Sequence, residues 1–279
     1  GTNKTNQLIS NAGKMPFLGP NCYGFINYLD KISVWSDQVA GKPTKSGVAI
    51  ICQSGTIGNT ISFNNRSLPI GYIISLGNQS QLTIEDAINY ALDDNRITAV
   101  GIYAESFTNA EKLIKVFKKS RSKKIPIAIV KVGRSKAASK TILSHTGSLS
   151  GKEDLYDALF QRMGVARCNT LAELCEILKL FHTQGILKND KISIMGPSGG
   201  DMAMIGDVAE SQSLNFAKIP PKIINDLKKV NHQSVLISNP FDLQTYNWND
   251  PKQLEKTFKL IFKTNFGLNI LMLDFPNIE

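Results

Sequence analysis

The chemistry-bearing residue that stands out is His145, one of three histidines in the chain. It lies in Ser144-His145-Thr146-Gly147-Ser148-Leu149-Ser150-Gly151, among small hydroxylated residues and glycines, with no apolar stripe to bury it. A histidine on such a pliable loop can move and present a ring nitrogen to a ligand. Imidazole has an unperturbed pKa near neutrality, so it can act as a neutral nucleophile under cellular conditions. Its loop neighbours Thr146, Gly147 and Ser148 supply hydroxyls and backbone freedom.

Two further groups deserve weighing beside it. Ser54-Gly55-Thr56-Ile57-Gly58 follows an apolar run and opens a helical stretch. Backbone N–H groups and the helix dipole make such a turn an anion site, although glycine is common in any tight strand-to-helix turn. The stretch has neither the lysine of a Walker loop nor the spacing of a dinucleotide fingerprint. Glu105 follows a third apolar run. A carboxylate there can accept a hydrogen bond from an imidazole N–H, fix its tautomer and favour a charged or phosphorylated ring; the plainer reading is an exposed acid near a helix start.

The elements that must position these residues read as alternating strands and helices. Residues 1–13 read as a helix and Met15–Leu18 as a short strand. Residues 28–46 read as a linker or irregular crossover. Uninterrupted apolar runs at Gly47–Cys52, Ile70–Leu76, Ala99–Ala104 and Ile125–Val132 read as strands. Helical spacing separates them, at 84–92 and 109–120, and helices at 153–163 and 171–182 follow. The pattern restarts with a strand at 191–195, helices at 201–210, 220–230 and 254–262, and a late strand at 268–274. Continuous apolar strands between helices argue for a buried parallel sheet wound on both faces. In such sheets ligands collect at the carboxyl ends of the strands. His145, Glu105 and the 54–58 turn all fall on that edge of one sheet.

Size and composition set the outer bounds. The chain has 279 residues, 42% of them hydrophobic, enough for two domains with proper cores. No apolar run is long enough for a membrane span, and residues 1–10 are too polar for a secretory signal. The four cysteines, Cys22, Cys52, Cys168 and Cys175, lack C-x-x-C spacing, and the histidines lack metal-ligand spacing. This reads as a reduced, cytoplasmic protein with no metal site of its own. The formal net charge is +9, and eleven Lys and Arg with no Asp or Glu fall between Lys112 and Lys140. Nucleic acid, an anionic small ligand, or a solvated lysine-rich helix face each fits that stretch. Its sole aromatic, Phe117, is no stacking platform, so no nucleic-acid partner is expected.

Taken in order, several stretches resemble one family. They are Gly19-Pro20-Asn21-Cys22, Gln53-Ser54-Gly55, Ser75-Leu76-Gly77-Asn78, the strand ending at Glu105, and Gly133-Arg134-Ser135. Ser144-His145-Thr146-Gly147-Ser148, Gly199-Gly200 and Asn239-Pro240-Phe241-Asp242-Leu243 complete the set. Over nearly the whole chain this resembles the nucleoside-diphosphate-forming (ADP-forming) acyl-CoA synthetases of the succinyl-CoA synthetase superfamily.

The resemblance implies an α/β fold with two flavodoxin-like, doubly wound parallel-sheet domains in tandem. Residues 1–42 would be the C-terminal remnant of a Rossmann-like CoA-binding domain plus a linker. Residues 43–187 would form the ligase domain with the phosphohistidine loop, and 188–279 a second, truncated one. It also implies that His145 is transiently phosphorylated and that Glu105 holds it. The turn formed by Ser54, Gly55, Thr56, Ile57 and Gly58 would receive the phosphate, and Asn21 and Cys22 would lie near the CoA thiol and acyl group. Coenzyme A, ATP or ADP, phosphate and a carboxylic acid or acyl-CoA would be the substrates, with magnesium travelling with the nucleotide on another domain.

Departures from the family pattern accompany the match. Most of the CoA-binding domain and the ATP-grasp domain are not in this sequence, so both are expected as partners, in an oligomeric full-length enzyme. This stretch alone is expected to be inactive. Gly196-Pro197-Ser198-Gly199-Gly200 differs from the family's commoner turn. The alternative from the same resemblance is a non-catalytic, CoA-ligase-like regulatory module of a protein acyltransferase.

Overall fold

The run Gly47–Cys52 forms strand β3 with every residue buried, as expected of a strand covered on both faces. In this computed structural model the described residues are 2–135, 137, 138, 153–212, 214 and 216–273. They fall into two units, Gly1–Ile186 and Leu187–Glu279.

The first unit begins with helix α1 (Thr2–Ala12) and strands β1 (Gly24–Asn27) and β2 (Ile32–Trp35). After β3 come α2 (Gly55–Ser62), β4 (Ile70–Ser75), α3 (Ile84–Asp93), β5 (Ile97–Ala104), α4 (Ala110–Lys123) and β6 (Ile127–Lys131). Helix α5 (Glu153–Met163), β7 (Ala166–Cys168) and α6 (Leu171–Gln184) complete it. The seven strands lie in the order β2-β1-β4-β3-β5-β6-β7. From β4 to β7 every pairing is parallel, whereas β1 runs antiparallel to both its neighbours. The parallel strands therefore follow the flavodoxin-like order 2-1-3-4-5, whose direction of winding reverses between β3 and β5.

Two apolar layers sandwich this sheet. Ala49 and Ile51 of β3 face Ile84, Ile88, Leu113, Phe117 and Phe160 of α3, α4 and α5. Val48, Ile50 and Cys52 face the other way, into the layer containing Ile61 of α2 and Leu174 and Leu178 of α6. The alternation is the period of two of a pleated strand. Side-chain caps start the helices: Ser54 accepts from the Ile57 N–H, Asn109 from Lys112 and Thr170 from Glu173.

Burial has a consequence for titration. It pushes the Cys52 thiol from its ordinary 9.0 up to about 12 and the Cys168 thiol up to about 11. Between those values the folded chain keeps protons that the unfolded chain releases. Stability is therefore full below pH 9 and falls as pH rises through 11 to 12. Urea midpoints for the first unit should drop between about pH 8 and about pH 10.5, and Cys52→Ala should flatten that drop. An unchanged midpoint in the unsubstituted chain would contradict this.

The second unit is smaller. It contains β8 (Ile192–Gly196), α7 (Gly199–Ser211), α8 (Pro221–Val230), β9 (Phe241–Asp242), α9 (Pro251–Phe262) and β10 (Leu268–Leu271). Its sheet is three-stranded and parallel, in the order β10-β8-β9. Met195, Ile223, Leu227, Phe241 and Ile261 form its core. The chain is thus α/β, with a mostly parallel seven-stranded sheet followed in sequence by a small parallel one.

Several elements differ from the sequence reading. Met15–Leu18 forms no ladder; the Phe17 N–H donates instead to the Gln81 side chain, at 2.7 Å. The supposed linker at 28–46 contains β2, an edge strand with Ile32 and Val34 exposed. Three short strands, β1, β7 and β9, fall where the sequence gives no strand reading. The late strand ends at Leu271, and Asp274 lies outside the described residues.

Candidate functional site

The direction of winding reverses between β3 and β5, the position at which ligands collect in sheets of this kind. Gln53 and Ser54 leave β3. Ser54 is extended (φ −89°, ψ 124°), and its Oγ accepts from the Ile57 N–H at 3.3 Å. Gly55 and Thr56 then head α2, where backbone N–H groups and the helix dipole present positive potential. Tyr23 fixes the first of them as glycine, since a Cβ on Gly55 would come within 2.2 Å of the Tyr23 ring. Gly58 packs similarly against Trp35, whose ring meets Tyr23 edge-on at 5.4 Å. The Trp35 Nε1–H donates to Asn59 Oδ1 at 3.3 Å. Aromatic side chains from the β1–β2 hairpin and its approach therefore clamp the first turns of α2.

Glu105 leaves β5 half-buried. A buried carboxamide ties it to the α2 turn: Gln53 Oε1 accepts from the Glu105 N–H, and from the Ser106 N–H at 2.9 Å. Gln53 Nε2 donates to Ser106 Oγ at 3.4 Å. Gln79, also buried, extends the network from β4, donating to Ser106 O at 3.5 Å and accepting from the Ile84 N–H at 2.7 Å. The Glu105 charge also reaches Tyr103, whose phenol is pushed up mainly by burial and further by that carboxylate. Gln53, Gln79 and Ser106 had no assigned role in the sequence reading. For Gln53 the signal available was a polar residue placed directly after a wholly apolar run.

Asn21 and Cys22 come to the same edge, at the end of β4. Pro20 O accepts from the Asn78 N–H at 2.9 Å and Gly19 O from the Ser80 N–H at 3.1 Å. Asn21 Nδ2 donates to Asn78 Oδ1 at 3.4 Å. Gly77, at φ +55°, lies so close that a Cβ there would sit 2.3 Å from the Pro20 and Asn21 carbonyl oxygens. The Cys22 thiol is half-buried, and burial raises its pKa, which favours the protonated, weakly nucleophilic form. The structure thus brings the ends of β4, β3 and β5, and with them Asn21, Cys22, Ser54 to Gly58 and Glu105, onto one sheet edge. His145, Thr146, Gly147 and Ser148 lie outside the described residues. The chain that carries them leaves at the end of β6 and is described again from Glu153, the first residue of α5.

The second unit repeats the strand-turn-helix arrangement. Ser198 caps α7 through the Asp201 N–H at 3.3 Å. A Cβ on Gly199 would lie 2.9 Å from Asp242 Oδ2. Asn239 holds that corner by donating to Ile192 O and Ala217 O, both at 2.8 Å. Among the described residues no cluster of three or more His, Cys, Asp or Glu could hold a metal ion. No helix among them is long and apolar enough to cross a membrane.

Residues 45–181 match the succinyl-CoA ligase-like flavodoxin domain. The alpha subunit of ADP-forming acetate–CoA ligase II from Pyrococcus furiosus is 32% identical over 247 residues, 87% of this chain and 53% of that protein. The ADP-forming acetate–CoA ligase of Methanocaldococcus jannaschii is 34% identical over 237 residues, 84% of this chain and 33% of that protein. The chain therefore spans about half the length of the first relative and a third of the second. In fold it is similar to an acetyl-coenzyme A synthetase of Ca. Korarchaeum cryptofilum solved with phosphate and ADP. That likeness has a TM-score of 0.78 at 19% identity, covering 98% of this chain and 67% of that one. The chain belongs to the ADP-forming acyl-CoA synthetases of the succinyl-CoA synthetase superfamily.

Proposed function

We propose that this chain is the phosphoryl-carrying part of an acid–CoA ligase that interconverts acyl-CoA, phosphate and ADP with carboxylic acid, CoA and ATP. A phosphate oxygen attacks the thioester carbon; the C–S bond breaks, and CoA leaves as thiolate and takes up a proton. A ring nitrogen of His145 then attacks phosphorus, and the carboxylate departs with the P–O bond. An oxygen of the ADP β-phosphate finally takes the phosphoryl group from nitrogen, giving ATP. Phosphoryl transfer depends on charge neutralisation and in-line placement more than on proton transfer.

Each part of the edge has a role in that sequence. The α2 turn from Ser54 to Gly58 receives the phosphate. Glu105 accepts the N–H of the ring nitrogen that stays unphosphorylated and stabilises the charged ring. Thr146, Gly147 and Ser148 support His145 as its chain neighbours, and Asn21 and Cys22 face the thiol end of CoA and the acyl group. An ATP-grasp domain or subunit supplies the nucleotide and its magnesium. Residues 1–42 are the end of a CoA-binding domain plus a linker whose strands β1 and β2 join the sheet of the ligase domain 43–187, and 188–279 is the second ligase domain. The assembly is an oligomer in the cytoplasm.

The observation that carries this reading is the Gln53 carboxamide, which joins the Glu105 backbone to the turn that opens α2. The full-length protein with its nucleotide partner, given ATP, CoA and a panel of carboxylic acids beginning with acetate, should turn ATP over catalytically to ADP and phosphate only when acid and CoA are both present. Release of AMP and pyrophosphate, or no acid-dependent turnover with any acid, would overturn it.

A further inference from the structure

Strand β6 ends on a lysine that is sealed from solvent: the Lys131 side chain has 0% exposure. Its Nζ donates to Glu153 Oε1 at 3.0 Å and Val132 O at 2.7 Å, and lies 4.9 Å from the Tyr156 ring centre. Burial pulls the ammonium below the usual lysine range, and the Glu153 carboxylate opposes that pull. The second oxygen of Glu153 accepts from Arg167 of β7 at 2.5 Å. Arg167 also donates to Lys131 O at 3.3 Å and to Asp157 at 2.5 Å, so one carboxylate is gripped by cations from two adjacent strands.

The place of this cluster in the chain matters more than its strength. Lys131 is the last residue of β6 and Glu153 the first of α5. Residues 132–152, which include His145, run between them. A buried ion pair adds little stability over well-packed apolar residues of the same volume, but it fixes directions and distances that apolar contacts leave loose. Pinning both ends of a segment sets the volume its middle can sample, and hence the effective concentration of a group carried there.

We propose that Lys131, Glu153 and Arg167 are positioning residues for phosphoryl transfer: their buried ion cluster fixes the two feet of the segment that carries His145. This rests on the phosphohistidine reading above. The test uses the full-length protein with its nucleotide partner, labelled from the γ-phosphate of ATP, comparing Lys131→Met, Glu153→Gln and the double variant. The double variant removes both members of the pair, and Arg167 keeps Asp157. The rate of labelling per folded molecule should fall tenfold or more, with KM for ATP unchanged and, in the double variant, an unchanged melting temperature. Unchanged labelling rates per folded molecule, or losses that follow melting temperature alone, would overturn the positioning role. An unsubstituted protein that takes no label on His145 would instead overturn the reading on which it rests.

Discussion

Replacing His145 with alanine in the full-length protein is expected to abolish acid-dependent CoA ligation, by about 10⁴-fold or more, the scale of losing the nucleophile of a covalent route. The reason is chemical. Acyl phosphate and ADP meet only through a carrier in this scheme, and imidazole suits the task because it is a neutral nucleophile at physiological pH. The half-reaction before the carrier should survive. With acyl-CoA and phosphate but no ADP, the His145→Ala protein should still release free thiol, up to the amount of acyl phosphate it can hold. Thiol release and complete ligation, measured side by side, separate loss of the carrier from loss of the fold. Normal ligation by the variant would remove His145 from the mechanism.

The second large effect is expected at Gln53. This side chain is 5% exposed, and its single amide oxygen accepts from two backbone N–H groups, those of Glu105 and Ser106. Leucine fills nearly the same volume and can accept neither. Two donors left unsatisfied at about 1–3 kcal/mol each predict that Gln53→Leu destabilises the first unit by roughly 2–6 kcal/mol. Glu105 would also lose its backbone anchor to the α2 turn, so His145 labelling should fall in the molecules that stay folded. Gln53→Glu keeps an acceptor oxygen for both N–H groups and should recover part of the stability. Urea denaturation of the three proteins reads the first effect. A Gln53→Leu protein as stable as the unsubstituted one would mean that this link does not hold the edge together.

The central strands were legible because burial on both faces leaves no polar interruption. Gly47–Cys52 has the same bounds in sequence and structure, and so does the helix Glu153–Met163. The β1–β2 hairpin was not legible. Its outer strand packs against nothing on one side, so Ile32 and Val34 face solvent and carry no burial pattern. Strands β7 and β9 are too short to show a period.

The site divides along the same line. Ser54 and Glu105 could be placed by the rule that ligands gather at strand ends. The role of the Gln53 carboxamide could not, because a polar residue after an apolar run does not reveal that it binds backbone 53 residues away. Lys131 is hidden for a related reason. It falls inside the run Ile125–Val132 with no role of its own, and its side chain is sealed off by a carboxylate 22 residues further on.

The most direct test of the account is to find where the phosphoryl group rests. The full-length protein with its nucleotide partner, given ATP labelled in the γ-phosphate and no acid, should take up label that is labile to acid and stable to alkali. That label should map to the peptide containing His145 and leave on addition of ADP. Label on another residue, or acid-dependent ligation with no protein-bound phosphate at any stage, would contradict it.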